Sequence, residues 1–232
     1  MEDHVVELKS TGPTRFTGAI LDTYIAPGVS DFTDADIPDM SNHHAESDHW
    51  IDNHFLNSVF RSSFSGAMGA YAANILRRVS GAFEEHARAR TATRAFLASS
   101  RQSPSQYSSA LMHWEYFLTQ SWQAHELLRR MIATMSDTED FRFFEKNDGS
   151  LTQRLYNVAG AMRHTEKAIA SGRVIQDSRS PVWLTNEGIE SEVGQLTYSE
   201  TAEILDHLAG WADLLVDPAE MREKAIAEAR GA

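Results

Sequence analysis

Cysteine is absent from all 232 residues. Disulfides, thiolate metal sites and thiol nucleophiles are thereby excluded, and the composition suits a reducing compartment. Long hydrophobic runs are missing too. The longest charge-free stretch of note, SSFSGAMGAYAANIL, is 15 residues rich in Ser, Gly and Ala between Arg61 and Arg77. It is too short and too polar to span a bilayer. The opening MEDHVVELK places acidic residues where a secretory signal carries basic ones, and no apolar segment follows, so a cytoplasmic protein is expected. Basic charge is scarce, 21 Lys and Arg against 33 Asp and Glu, giving a net charge of −12. Such a balance repels nucleic acid over most of the surface. There is no glycine-rich phosphate loop, no GxSxG elbow, no dinucleotide fingerprint and no HExxH. Nucleotide-driven chemistry is not expected, and no cofactor is implied.

What is present suffices for a core, at 42% hydrophobic residues. Residues 1–46 are rich in Gly, Pro, Asp and Thr, with apolar residues only in short groups such as HVVEL and AILDTYIA. This reads as a loop-rich N-terminal arm with one or two short strands, wrapped on the body to cover Phe16, Ile20, Leu21, Tyr24 and Ile25. Its piece APGVSDFTDADIPDM reads as an acidic surface excursion. Residues 47–232 read as a helical bundle.

From Asp48 to Leu97, apolar residues recur at helical steps: Ile51, Phe55, Val59, Phe64, Met68, Tyr71, Ile75, Val79 and Phe83. One very long helix or two are predicted, with Gly66, Gly69 and Gly81 as candidate bends. Ser103-Pro104-Ser105-Gln106 marks the next start, with a capping hydroxyl followed by proline at the first helical position. Tyr107, Leu111, Trp114, Leu118, Trp122, Leu128 and Ile132 form its stripe. Ser150 to Gln153 opens a helix expected to run to Gly172, and Thr197 to Glu200 opens another through Ile204, Leu208, Trp211 and Leu215. Between them PVWLTNEGIESEVGQLTY predicts a small hairpin near 181–198. Asp217-Pro218 caps a last, charged helix. The expected fold is mainly α, a bundle of four to six helices with a small β-hairpin and an irregular arm.

In the helix after Ser150, Leu151, Leu155, Val158, Met162 and Ile169 fall within about 60° and define a core stripe. Arg154, Asn157, Ala161, His164 and Ala168 form a second band that mixes polar with small residues. An Arg-to-His helix late in a helical bundle, with Asn beside it, resembles the HEPN superfamily of bacterial and archaeal ribonucleases, toxins and defence proteins. The resemblance implies Arg154, Asn157 and His164 as catalytic residues at a dimer cleft, a microbial defence or toxin-related role, and an RNA substrate. Nine residues separate Arg154 from His164, a wider gap than the family's, and their α-carbons lie about 15 Å apart along one helix. A shared site would need a homodimer whose two helices cross head to tail near Ala159 to Ala161. His164 would then take the 2′-hydroxyl proton, Arg154 would stabilise the phosphorane and Asn157 would position the phosphate, with no metal.

Other constellations compete. His43, His44, His49 and His54 crowd together with Glu46, Asp48 and Asp52, donors that suit a metal but also suit a polar helix entry. Glu85, Glu115, His125 and Glu126 are candidates for a carboxylate-bridged metal bundle, although His113 and Glu115 fall on different faces. Arg77, Arg78, Arg88, Arg90, Arg94 and Arg101, with Arg129, Arg130, Arg163 and Lys167 elsewhere, form either a solvated face or a phosphate groove. Trp114, Tyr116, Phe117 and Trp122 read as packing, with a base-stacking platform as the alternative. The alternative to a ribonuclease is a non-catalytic interaction or regulatory subunit that binds a partner protein through an acidic surface.

Overall fold

The computed structural model describes residues 18–99, 103–138, 141–170, 180–219 and 221. Among these the chain is mainly α: seven helices and one small antiparallel sheet. Its spine is the pair α3 (Ala67–Ala98) and α4 (Pro104–Met135), each 32 residues long and packed along its length. Ile75, Leu76, Val79 and Phe83 from α3 meet Leu111, Trp114, Phe117 and Leu118 from α4 in one continuous core. Each such side chain contributes about 1.5–3 kcal/mol on burial. Gly81 does not bend α3. It allows close approach, because a Cβ there would lie 3.2 Å from Gln120. The break instead falls at Gly66, whose φ of +55° is in the left-handed region that glycine tolerates, and it separates α2 (Ser41–Phe60) from α3.

The capping signals hold. Ser103 and Ser150 each accept the N–H three residues on, and Thr197 with Glu200 forms a complete capping box. The predicted hairpin gains a third strand. β1 (Val182–Leu184), β2 (Gly188–Ser191) and β3 (Gly194–Thr197) run antiparallel in that order, with Leu184 opposite Ile189 and Ile189 opposite Leu196. β3 then enters α7 (Tyr198–Val216) at the cap, so the sheet fixes where α7 begins.

Three expectations are corrected. Among the described residues of the arm, 18–46, there is no strand: α1 (Gly18–Tyr24) is helical and α2 begins at Ser41. The segment read as a surface excursion places Val29, Phe32 and Ile37 in the core. Phe32 stacks on Phe96, Arg90 donates to the Ile37 carbonyl, and the Asn186 side chain accepts from the Thr33 and Asp34 N–H groups. Leu21 is buried, but Ile20 and Tyr24 remain exposed; the HVVEL group and Phe16 lie outside the described residues. Lastly, the helix after Ser150 does not run unbroken to Gly172, which itself lies outside the described residues. α5 (Leu151–Arg163) stops at His164, the Thr165 hydroxyl bonds back to the Ala161 and Met162 carbonyls, and α6 (Thr165–Ala170) follows. The turn takes Ile169 off the core stripe, leaving it exposed. The helix expected after Asp217 falls largely outside the described residues.

Candidate functional site

Leu155 and Val158 seat α5 in the core, and this sets the directions of the three residues singled out on it. Arg154 turns toward the start of α7 and forms an ion pair with Glu200. The second oxygen of that carboxylate accepts the Thr197 N–H at 2.9 Å, so one side chain both caps α7 and neutralises Arg154. The Arg154 Nε is buried without a partner. Asn157 is exposed beside Gly194 of β3, and His164 is exposed at the end of α5. The three do not converge within the chain. Of the small residues at the expected helix crossing, Ala159 is buried by its own chain, and Gly160 faces open space.

The other candidates separate in the same way. His43 lies 3.7 Å from Asp206, His54 donates to the Leu215 carbonyl, and His49 is exposed. The side chains of His44, Glu46 and Asp48 lie outside the described residues. Among the described residues no three His, Asp or Glu side chains gather as metal ligands. Glu85 is held by His113 at 2.7 Å and Arg88 at 2.8 Å; Glu115 stands apart, its carboxyl raised above the usual range by burial. Burial lowers the basicity of His125, a shift that its hydrogen bond to the Ser121 carbonyl opposes. The arginines are largely engaged: Arg77 with Asn74, Arg78 with Gln120, Arg88 with Glu84 and Glu85, Arg90 with Asp39, Arg129 with Glu126. Arg101 lies outside the described residues. Trp114 and Phe117 are core, and Trp122 lies under the Arg163 guanidinium at 3.8 Å.

A cleft of about 300 Å³ opens between the start of α2 and α3, lined by Asp39, Ser41, Phe83, His86, Arg90 and Thr91. Arg90 and the free N–H groups of a helix start would suit an anion. Asp39 already supplies one, pairing with Arg90 at 2.9 Å and accepting the Ser41 N–H at 3.0 Å. Hydrogen bonds from Ser41 hold the Asp39 carboxyl below its usual range. His86, at the inner wall, packs edge-on against Trp114 and Phe117 with Nε2 3.3 Å from the Thr201 hydroxyl, and burial pushes its pKa down to about 4.

The most unusual surface is on α2, which is mounted with its polar side inward. Trp50, His54, Asn57 and Arg61 fall within about 60° of one another. Trp50 donates to Asp213 at 2.8 Å, His54 Nδ1 to the Leu215 carbonyl at 2.9 Å and Asn57 to the Val216 carbonyl at 3.1 Å, while Arg61 pairs with Asp217. A helix end leaves its last carbonyls without partners, and α7 has no basic residue in its last turn. Side chains from α2 complete it. Consequently Ile51 (46%), Phe55 (64%), Leu56 (47%), Val59 (57%) and Phe60 (77%) face outward and are exposed. In the sequence, Ile51, Phe55 and Val59 are apolar residues recurring at helical steps together with Ile75, Val79 and Phe83; the structure buries the latter three and leaves the former three outside. The signal lay in the spacing of Trp50, His54, Asn57 and Arg61, which is as regular as that of the apolar set.

Comparison with family models, curated proteins and solved structures returns no match.

Proposed function

We propose that this chain is a non-catalytic interaction protein, a helical module that docks another polypeptide on the outward face of α2. The supporting observation is the reversed mounting of that helix. With large apolar side chains at about 150–200 Å² each, the five outward residues leave roughly 500 Å² of apolar surface in water. That is the size of the largest apolar patch on a typical monomer, about 300–600 Å², and such patches are often functional. At ~25 cal/mol per Å², about 12 kcal/mol of burial is forgone. On the inner side the two neutral hydrogen bonds of His54 and Asn57 return only about 1 kcal/mol each, and the bond from Trp50 to the Asp213 carboxylate about 1.5–3 kcal/mol. A covered face resolves the difference. The binding surface in this reading is apolar rather than acidic, and the net charge of −12 serves to keep the rest of the surface apart from wrong partners.

A ribonuclease reading has less behind it, because Arg154 is neutralised by Glu200 and points away from His164. The docking reading is tested by placing a photo-crosslinking residue at position 55 in cells. Discrete adducts that vanish when Val59 and Phe60 are changed to Asp are expected. A diffuse smear, or adducts indifferent to those changes, would remove it.

A further inference from the structure

We infer that the polypeptide covering the outward face of α2 is a second copy of this chain, the two helices crossing about a two-fold axis near Phe55 and Leu56. The inference rests on the docking reading above and names the occupant. Three observations carry it. The first is shape: Ile51, Phe55 and Val59 form one i,i+4 ridge, Leu56 and Phe60 a second, and such ridges fit the groove between their own copies. A two-fold contact is isologous, so one self-complementary patch suffices and no matching site elsewhere is required.

The second is area. A stable contact buries about 800 Å² per partner. The apolar side chains give roughly 500 Å² of this; the exposed His49 and Asn53 border them, and Asp52 heads the row of Leu56 and Phe60, so the contact includes polar side chains as well. The third is charge. Between His49 and Phe60 only Asp52 is charged, although the chain as a whole carries −12. Two acidic copies repel over nearly all their surface, and this face is where they can meet. A basic partner would instead be drawn to the acidic regions, and an anionic membrane would be repelled.

The absence of native cysteine makes a single Leu56→Cys thiol a clean reporter. On mild oxidation of the purified full chain, Leu56→Cys is expected to yield a disulfide-linked dimer of twice 25.9 kDa, whereas Met112→Cys, exposed on α4, stays single. By sedimentation the unmodified chain should dimerise, and more tightly as salt screens the like charges, a response opposite to that of a partner bound by charge. The double variant Phe55→Asp, Phe60→Asp should sediment as a monomer with an unchanged circular dichroism spectrum. A monomer of 25.9 kDa up to about 100 µM would overturn the inference, as would a dimer that survives the double variant. If the chain proves monomeric, maleimide labelling of the position 56 thiol separates the two failures. Fast labelling leaves a free docking face with another occupant, whereas slow labelling shows that the face is not free and removes the docking reading as well.

Discussion

The Trp50 indole, 3% exposed, donates its N–H to Asp213 across 2.8 Å and thereby fixes which side of α2 meets α7. Its ring also meets Phe83 edge-on, with centroids 5.5 Å apart, so one residue supplies both the apolar anchor and the polar one. Trp50→Phe keeps most of the packing and leaves Asp213 without this donor. A loss of about 1–2 kcal/mol in urea unfolding is expected. No change in stability would mean that the bond does not orient the helix.

Substitutions on the other side of α2 should behave in the opposite way. Phe55→Ser in a core would cost about 3–5 kcal/mol. At an exposed position it should change the stability of the dissociated chain by no more than about 0.5 kcal/mol. Chemical denaturation at low protein concentration measures this. A core-sized loss there would show that Phe55 is buried in solution and that α2 is mounted the other way round.

His86 makes stability depend on pH. Its folded pKa of about 4 lies below the ordinary 6.5, so between those values the unfolded chain binds a proton that the folded chain does not. The contribution is fully present above pH 6.5 and is lost as pH falls toward 4, by about 3 kcal/mol over that window. The buried His125 shifts in the same direction, so some slope will remain without His86. Comparing unfolding of the wild type with His86→Gln at pH 7 and pH 4.5 checks this, and equal slopes would exclude His86 as the source.

Glu200 joins the α7 cap to Arg154, and Glu200→Ala should remove both contacts. About 1–2 kcal/mol of stability is expected to go, since a cap bond is lost and a half-buried guanidinium is left alone. Glu200→Gln retains a capping acceptor and should recover part of the loss. Thermal melts of the three proteins decide the matter.

RNA incubated with the purified chain without metal should remain intact, and His164→Ala should make no difference. Cleavage that depends on both His164 and Arg154 would displace the non-catalytic reading and restore the two-chain ribonuclease site.

Gly188 is the position in the sheet least able to change. A Cβ there would lie 1.9 Å from the Leu196 carbonyl oxygen and 2.7 Å from the Thr197 Cα, both backbone atoms. Gly188→Ala must therefore push β2 from β3 and disturb the strand that leads into the α7 cap. A loss of about 3 kcal/mol or more is expected, and a melting temperature equal to the wild type's would contradict the strand pairing.

Helix starts were legible in the sequence because a cap is a local event: Ser103, Ser150 and Thr197 each needed only the N–H three residues on. The α3 and α4 stripes were legible for a related reason, since a long apolar face has few ways to avoid the core. The break at His164 was not, because the Ala and Gly around it are compatible with continuing the helix, and the polar band on α5 looked continuous until the turn carried its end away. Arg154 likewise gave no sign that its partner would be Glu200, 46 residues on.

The sequence by itself determined a mainly helical chain, its caps, its small antiparallel sheet and the residues able to form two faces on α2. Only the tertiary structure decided which of those faces went inside. Apolar periodicity identifies a stripe without saying what lies opposite it, and the end of α7 presents carbonyls that need donors. His54 and Asn57 supply them while Trp50 donates to the Asp213 carboxylate, and Phe55, Val59 and Phe60 are left facing out.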